Sequence, residues 1–595
     1  MKQFLKYVSA TVVGVFVVGI ILTILSILGL AGIAAMNTPM TAVSKNSVLV
    51  IQLKGSISER SEDNPFAELL GNAALTNQGL DDIINAIKRA KSEKNVKGIY
   101  LEAGTFAGAM PATLEAVRKE LEGFKKSGKF IVAYGDTYTQ GAYYLCSVAD
   151  SVIVNPQGMI NWTGLSSTVT YYKDLLQKVG VDMQVVKVGT YKSAVEPFLL
   201  SEMSDANREQ IETYEHEIWT EMLKAVSKSR GVSEAKLNEV ADSMALFMTA
   251  DQYKKMKLVD KIAYSDAVRP TIASMMKLDN PDDYNTVSVT DLAGMSESEP
   301  KGISGKQIAV YYAVGDIVEE AATTGFNSES QIVGKTVSED LQKLADDDKV
   351  AAVVLRVNSG GGSAYASEQI WHQVMNIKTN KPIVVSMGDM AASGGYYISC
   401  AADYIFAEPT TITGSIGIFG MFPNASELLN NKLGVHFSTV KTNAFSDFGD
   451  FSRPFTEQEY TIAQQYVNRG YELFTKRCAD GRKMKQDSIK AIGEGRVWTG
   501  VHAKKIGLVD ELGGLEKAIE KARIMAKAED ASVVNYPDKK DFLTSLMEEM
   551  TGDSYADKKI KENLGDYYFI VDNMKRVKQK TGVQVSLPYA LRFNL

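Results

Sequence analysis

The chain contains a long stretch of itself twice, and this repetition constrains its fold more than any other feature. KFIVAYGDTYTQGAYYLCSVADSVIVNP, residues 129–156, aligns with KPIVVSMGDMAASGGYYISCAADYIFAEP, residues 381–409, once one extra residue is allowed before Gly388. From Gly135 to Pro156 the offset is a constant 253, matching Asp136 with Asp389, Tyr143 and Tyr144 with Tyr396 and Tyr397, and Asp150 with Asp403. Upstream, VKGIYLEAG (Val96–Gly104) pairs with VAAVVLRVN (Val350–Asn358) at offset 254. Downstream, KVGVDMQVVKVGTYKSA pairs with KLGVHFSTVKTNAFSDF at the same offset of 254. The chain is therefore read as two copies of one folding unit, since self-similarity at a fixed spacing marks a duplicated structure.

Inside each copy, short runs rich in Val, Ile and Tyr alternate with amphipathic helical patterns: VLVIQL, DDIINAIKRAKS, KGIYLEA, TLEAVRKELEGFKKSG and KFIVAYG, then the same order from IAVYYAVG to PIVVSMG. Strands alternating with helices at this spacing predict βαβ units, hence an α/β domain with a mainly parallel sheet under helices. The Ser-, Gly- and Glu-rich stretch at residues 291–307 reads as the linker between the units. The expected division is an N-terminal stub and anchor at 1–44, a first repeat at 45–290, a second repeat at 308–540 and a C-terminal extension at 541–595. A later helical pair, SDANREQIETYEHEIWTEMLKAVSKSRG and TEQEYTIAQQYVNRGYELFTKRCADGR, is assigned to packing.

Duplication supplies an internal control, because whatever only one copy carries cannot be required by the shared fold. In the second copy the strand VAAVVLRV runs into Asn358-Ser-Gly-Gly-Gly-Ser363, where the first has AGTFAG. Three glycines after a strand permit positive φ and close backbone approach, so their N–H groups suit an anion or oxyanion; a plain flexible turn is the bland alternative. The GxxxxGK[ST] spacing of a phosphate loop is absent. Ser393, crowded by Ala391, Ala392, Gly394 and Gly395, stands where the first copy has Gln140. It reads either as a helix N-cap or as a nucleophile with the N–H of Gly394 beside it. Lys192 in VGTYKSAVEPF has Ser446 as its counterpart, so the first copy holds a lysine and the second the serine.

A serine nucleophile needs a base. His436, after Gly434 in an expected strand, is one candidate, and His372 lies in an expected helix. A neutral lysine is the other, with Glu196 four residues on from Lys192 as a carboxylate able to oppose its deprotonation. The reference lysine value near 10.4 must fall by about three units for such a base to work near neutrality.

Composition removes other classes. With 65 Lys+Arg against 72 Asp+Glu, the net charge of -7 lacks the basic footprint of a nucleic-acid protein. Three scattered cysteines (Cys146, Cys400, Cys478) and four histidines form no metal-ligand spacing, so no metal site is expected. One segment departs from the average: no charge occurs between Lys6 and Lys45, and Val12–Leu30 is nearly all apolar. That length spans a bilayer, whereas a cleaved signal peptide has a shorter apolar region of about 7–15 residues. Lys2 and Lys6 place the N-terminus on the cytoplasmic side and send the body across.

The anchor, the duplication, GTYKSAVEPF in the first copy, and RVNSGGGS, ASGGYY and TGSIG in the second resemble the signal peptide peptidase A (protease IV) family in its long, duplicated bacterial form. The resemblance implies tandem crotonase-like, Clp protease-like α/β domains and a Ser-Lys endopeptidase that degrades released signal peptides and other unstructured hydrophobic peptides. By position it makes Ser393 the nucleophile, Lys192 the general base and Ser415 the hydroxyl that orients the lysine; Trp162 is the counterpart of Ser415. The oxyanion donors would be Gly394 with Gly361 or Gly362. Gly360 stands where many relatives have proline. The resemblance further implies a homotetramer, a bacterial inner membrane location with the catalytic body on the periplasmic side, and no cofactor. An acyl-CoA enzyme of the same fold, or a non-catalytic scaffold, are the rival readings.

Overall fold

In this computed structural model, the structure describes residues 14, 18, 19, 42–61, 77–295, 305–321, 330–539 and 582–586. The near-continuous apolar runs of the sequence become strands buried on both faces, as parallel sheets require. In the first repeat, Ile131, Val132 and Ala133 are fully buried in strand Phe130–Tyr138. That strand lies in a parallel sheet ordered Asn77–Gly79, Ser47–Ser58, Val96–Gly108, Phe130–Tyr138, Ser151–Ile160 and Lys261–Ile262, with Asn285–Ser288 also paired to Ser47–Ser58.

The second repeat builds the same core. Ser532–Tyr536, Gln307–Val314, Val350–Ser359, Ile383–Ala392 and Ile412–Gly414 run parallel, and Val497–Thr499 closes that edge antiparallel. Tyr404–Ala407 also pairs with Ile383–Ala392 and carries Glu511–Leu512. The duplication reaches individual bonds. Tyr143 donates its hydroxyl to the Leu258 carbonyl at 2.9 Å, and Tyr396 to that of Leu508 at 3.0 Å. Arg230–Asp260 recurs as Arg482–Asp510.

The boundary at 291–307 does not separate all strands by repeat. A third, mixed sheet runs Gln331–Val333, Asp316–Val318, Gly361–Ser363, Gly582–Ser586, Ile418–Asn424 and Asp182–Val188, so the first repeat lends a strand to the second. A buried polar seam reinforces this. Arg356 forms a two-pronged ion pair with Glu59 of the other half, both bonds at 2.9 Å, and each residue is 4% exposed. Asp389 accepts from the N–H of Thr113 at 2.8 Å and from its hydroxyl.

One expected strand is absent. Residues 436–442, counterpart of Asp182–Val188, are exposed and irregular. Val186 is 1% exposed, packed beside Ile418–Asn424, while its counterpart Val440 is 96% exposed. The physical reason is pairing: residues 164–170, counterpart of Ile418–Asn424, form no ladder among the described residues and have no arm laid on them. The apolar run Val12–Leu30 lies outside the described residues except Gly14, Val18 and Gly19, as does all of 541–595 except Gly582–Ser586. Among the described residues no helix is long and apolar enough to cross a membrane.

Candidate active site

Ser393 sits between strand Ile383–Ala392 and helix Gly394–Ser399. Its backbone is at φ 56° and ψ -113°, a sparsely populated conformation for a residue with a side chain, of the kind held in place only by its surroundings. The hold is visible: the Ser393 N–H donates to the Gly414 carbonyl at 2.8 Å, and its own carbonyl accepts from the Tyr397 N–H at 2.8 Å. Three residues upstream, the Met390 N–H donates to Asn358 Oδ1 at 3.0 Å, and Asn358 donates to Glu59 at 3.0 Å. The seam between halves thus ties the start of the glycine loop to the strand that delivers the serine.

Lys192 comes from the first repeat, just after the lent strand Asp182–Val188, and opens the short 3-10 turn Ser193–Val195. Its Nζ lies 2.8 Å from Ser393 Oγ, 3.0 Å from Ser415 Oγ and 3.2 Å from the Ser415 carbonyl. Lys192, Ser393 and Ser415 are all fully buried. A long flexible side chain needs its base clamped, and the second repeat supplies the clamp. The Tyr191 N–H donates to the Glu494 carbonyl at 2.9 Å, and a Cβ on Gly495 would stand 2.7 Å from Lys192 Cα. Gly495 also has φ +78°, so this close approach takes glycine on two grounds. Ser415 is fixed through its N–H, which donates to the Arg496 carbonyl at 2.7 Å.

Glu196 uses its two carboxylate oxygens to accept from Ser204, at 2.6 Å from the hydroxyl and 3.4 Å from the N–H. His436 lies in the exposed irregular segment and His372 is exposed on helix Ala364–Asn380, so neither histidine joins the serine. Gly361 and Gly394 are in backbone contact, a Cβ on Gly394 falling 3.0 Å from Gly361 Cα; the Gly361 N–H donates to Ser359 Oγ at 3.1 Å. Gly362, at φ +156°, lies against Ile317.

The same place in the first repeat is plugged. Gln140 is fully buried, accepts from the N–H groups of Thr163 and Gly164 at 3.0 and 2.9 Å, and donates to the Gly164 carbonyl at 3.0 Å. Trp162 is fully buried and bonded to the Leu237 carbonyl, and Ser446 is exposed.

Two contributors escaped the sequence reading. Gln210, on helix Asp205–Arg230, donates to Ser193 Oγ and to the Tyr191 carbonyl at 3.1 and 3.2 Å while accepting from the Val497 N–H at 3.2 Å. That helix therefore does more than pack. The Glu494–Arg496 clamp was equally hidden, although Gly493-Glu-Gly495 carried a turn signal. Near the seam, burial pushes the Asp389 carboxyl up to about 6, against the hydrogen bonds from Thr113 and with help from Glu59. Burial and the nearby Glu408 push Glu115 up to about 7, against Lys119.

The sequence model of peptidase family S49 matches residues 123–280 and 376–529, one block in each repeat, and that of the Clp protease matches residues 310–412. The chain is 36% identical to Protease 4 of Salmonella typhi over 87% of this chain and 84% of that protein. It is 33% identical to Protease 4 of Haemophilus influenzae over 83% and 82%. The chloroplastic serine protease SPPA of Arabidopsis thaliana is 28% identical over 82% of this chain and 70% of its own length. With a family match in each repeat and relatives aligned over most of their length, the chain belongs to peptidase family S49 and is a serine peptidase with a duplicated, Clp-like α/β body.

Proposed function

We propose that Ser393 and Lys192 form the catalytic dyad of an endopeptidase that degrades released signal peptides and other unstructured hydrophobic peptides. The observation that carries this reading is the 2.8 Å contact between Lys192 Nζ and Ser393 Oγ, two fully buried atoms' worth of side chain delivered by opposite repeats. A neutral Lys192 takes the Ser393 proton as Oγ bonds to the peptide carbonyl carbon. The resulting oxyanion is met by the N–H of Gly394 and one from Gly361 or Gly362, Gly361 exchanging its bond to Ser359 for it. The lysine then gives the proton to the leaving amine, and water, deprotonated by the same amine, releases the acyl group. Ser415 holds the amine on the serine throughout. Burial favours the neutral amine that this scheme requires.

On this reading Val12–Leu30 is a single membrane anchor in the bacterial inner membrane, with the body on the periplasmic side where spent signal peptides remain. The repeats at 45–290 and 308–540 act as base donor and nucleophile donor. The active form is a homotetramer, supported by the unused arm 436–442 and the unused edge 164–170: the arm of one copy fits the edge of the next, repeating between chains the pairing found once within the chain. Such a head-to-tail contact closes into a ring when its rotation divides a full turn, and four copies require a quarter turn each. The deciding experiment follows cleavage of an unstructured hydrophobic peptide by Ser393→Ala and Lys192→Ala proteins that melt like the wild type. Both should lose turnover, and normal turnover by either would remove the dyad.

A further inference from the structure

We infer that Gly582–Ser586 occupies the groove in which a peptide substrate binds, so that the chain carries its own competing strand; the inference rests on Ser393 being the nucleophile. Strand Gly361–Ser363 has one edge on Asp316–Val318 and the other on Gly582–Ser586, antiparallel, with Gly361 opposite Ser586, Gly362 opposite Val585 and Ser363 opposite Gln584. The far edge of the same segment pairs antiparallel with Ile418–Asn424, placing Gln584 opposite Phe419, Val583 opposite Gly420 and Gly582 opposite Met421. Lift the segment out and two strand edges face each other across a slot of roughly 10 Å, the width that admits one extended chain.

Both walls of that slot carry the reacting groups. Gly361 touches Gly394, the neighbour of Ser393, and Ile418 follows by three residues Ser415, which holds Lys192 Nζ. A peptide entering by strand addition takes its affinity from main-chain bonds to these edges, and Gly582–Ser586 already holds both edges. Gln584 is 9% exposed between them. The segment Gly-Val-Gln-Val-Ser has no charge and two β-branched residues, so it has the composition of an extended hydrophobic peptide. Its Ser586 end is the one beside Gly361 and Gly394. The segment and an incoming peptide therefore exclude each other.

When the competent state is only fractionally populated, apparent affinity falls by that fraction, so a groove open about one tenth of the time binds peptide about tenfold more weakly. The test compares the full chain with a Val583→Pro, Val585→Pro double variant, which removes two strand N–H groups, and with a variant lacking residues 582–595. The readouts are kcat/KM on an uncharged unstructured peptide and the labelling rate of Ser393 by a serine-reactive reagent, with melting curves for all three. Both variants should gain about tenfold in kcat/KM and label faster, and a synthetic Gly-Val-Gln-Val-Ser peptide should inhibit the shortened chain competitively. Unchanged or lower kcat/KM and unchanged labelling in variants that melt normally would overturn the inference. The dyad is judged separately: if Ser393→Ala still cleaves, the nucleophile assignment fails, whatever the segment does.

Discussion

At the residue scale, the proposed chemistry depends on keeping one amine neutral and aimed. Lys192→Arg should be as inactive as Lys192→Ala, because guanidinium does not deprotonate in proteins. Removing the Ser415 hydroxyl deletes one neutral hydrogen bond of about 1 kcal/mol, so Ser415→Ala should lower kcat about fivefold with KM little changed. Gly495→Ala puts a methyl 2.7 Å from the Lys192 backbone at a left-handed position, and should lower kcat far more than the serine variant does. Steady-state kinetics on folded variants check all three. The pairing of Lys192 with Ser393 was legible because the two copies differ at Ser393 against Gln140 and Lys192 against Ser446. Gln210 and Gly495 were not legible: one bonds the residues on either side of Lys192 and the other lies against its backbone, both from distant parts of the chain, and no local spacing encodes such a touch.

At the scale of elements, the alternating strand and helix patterns mark the βα units, since period and propensity agree within each segment. The third sheet was invisible because its strands come from both repeats and from near residue 584, and pairing partners are not written in any one segment. The seam that accompanies it makes two predictions. Glu59→Ala leaves Arg356 buried without its carboxylate and should cost about 3–5 kcal/mol in urea unfolding, whereas replacing both residues by Met and Leu should cost less. Asp389 and Glu115 hold their protons to about 6 and about 7 in the folded chain, but unfolded carboxyls titrate near 4. Ionising them therefore burdens only the folded state: their penalty is absent below about pH 4, grows as pH rises and is complete above about pH 7. For Asp389 the shift of about two units corresponds to about 3 kcal/mol. The melting temperature of Asp389→Asn should accordingly fall less between pH 4 and 7 than that of the wild type, and equal slopes would refute the assignment.

At the scale of the whole molecule, two halves share a sheet, a buried ion pair and the proposed reaction centre, so the connection at 291–307 should be needed to make the protein but not to run it. Cutting the folded chain at a protease site inserted within residues 296–304 should leave activity intact, with both fragments travelling together on size exclusion. Val440→Asp should leave the folded monomer unchanged while lowering the mass measured by light scattering, because it charges the arm left bare in a single copy. The plugged first site has a further, hereditary meaning. A serine at position 140 alone would gain a hydroxyl with no amine beside it, and a lysine at 446 alone would stand on an exposed, irregular segment with no serine beside it. Neither step is useful without the other, so once each copy had given up one of the two residues, selection had no single mutation by which to return: the division of labour is a ratchet.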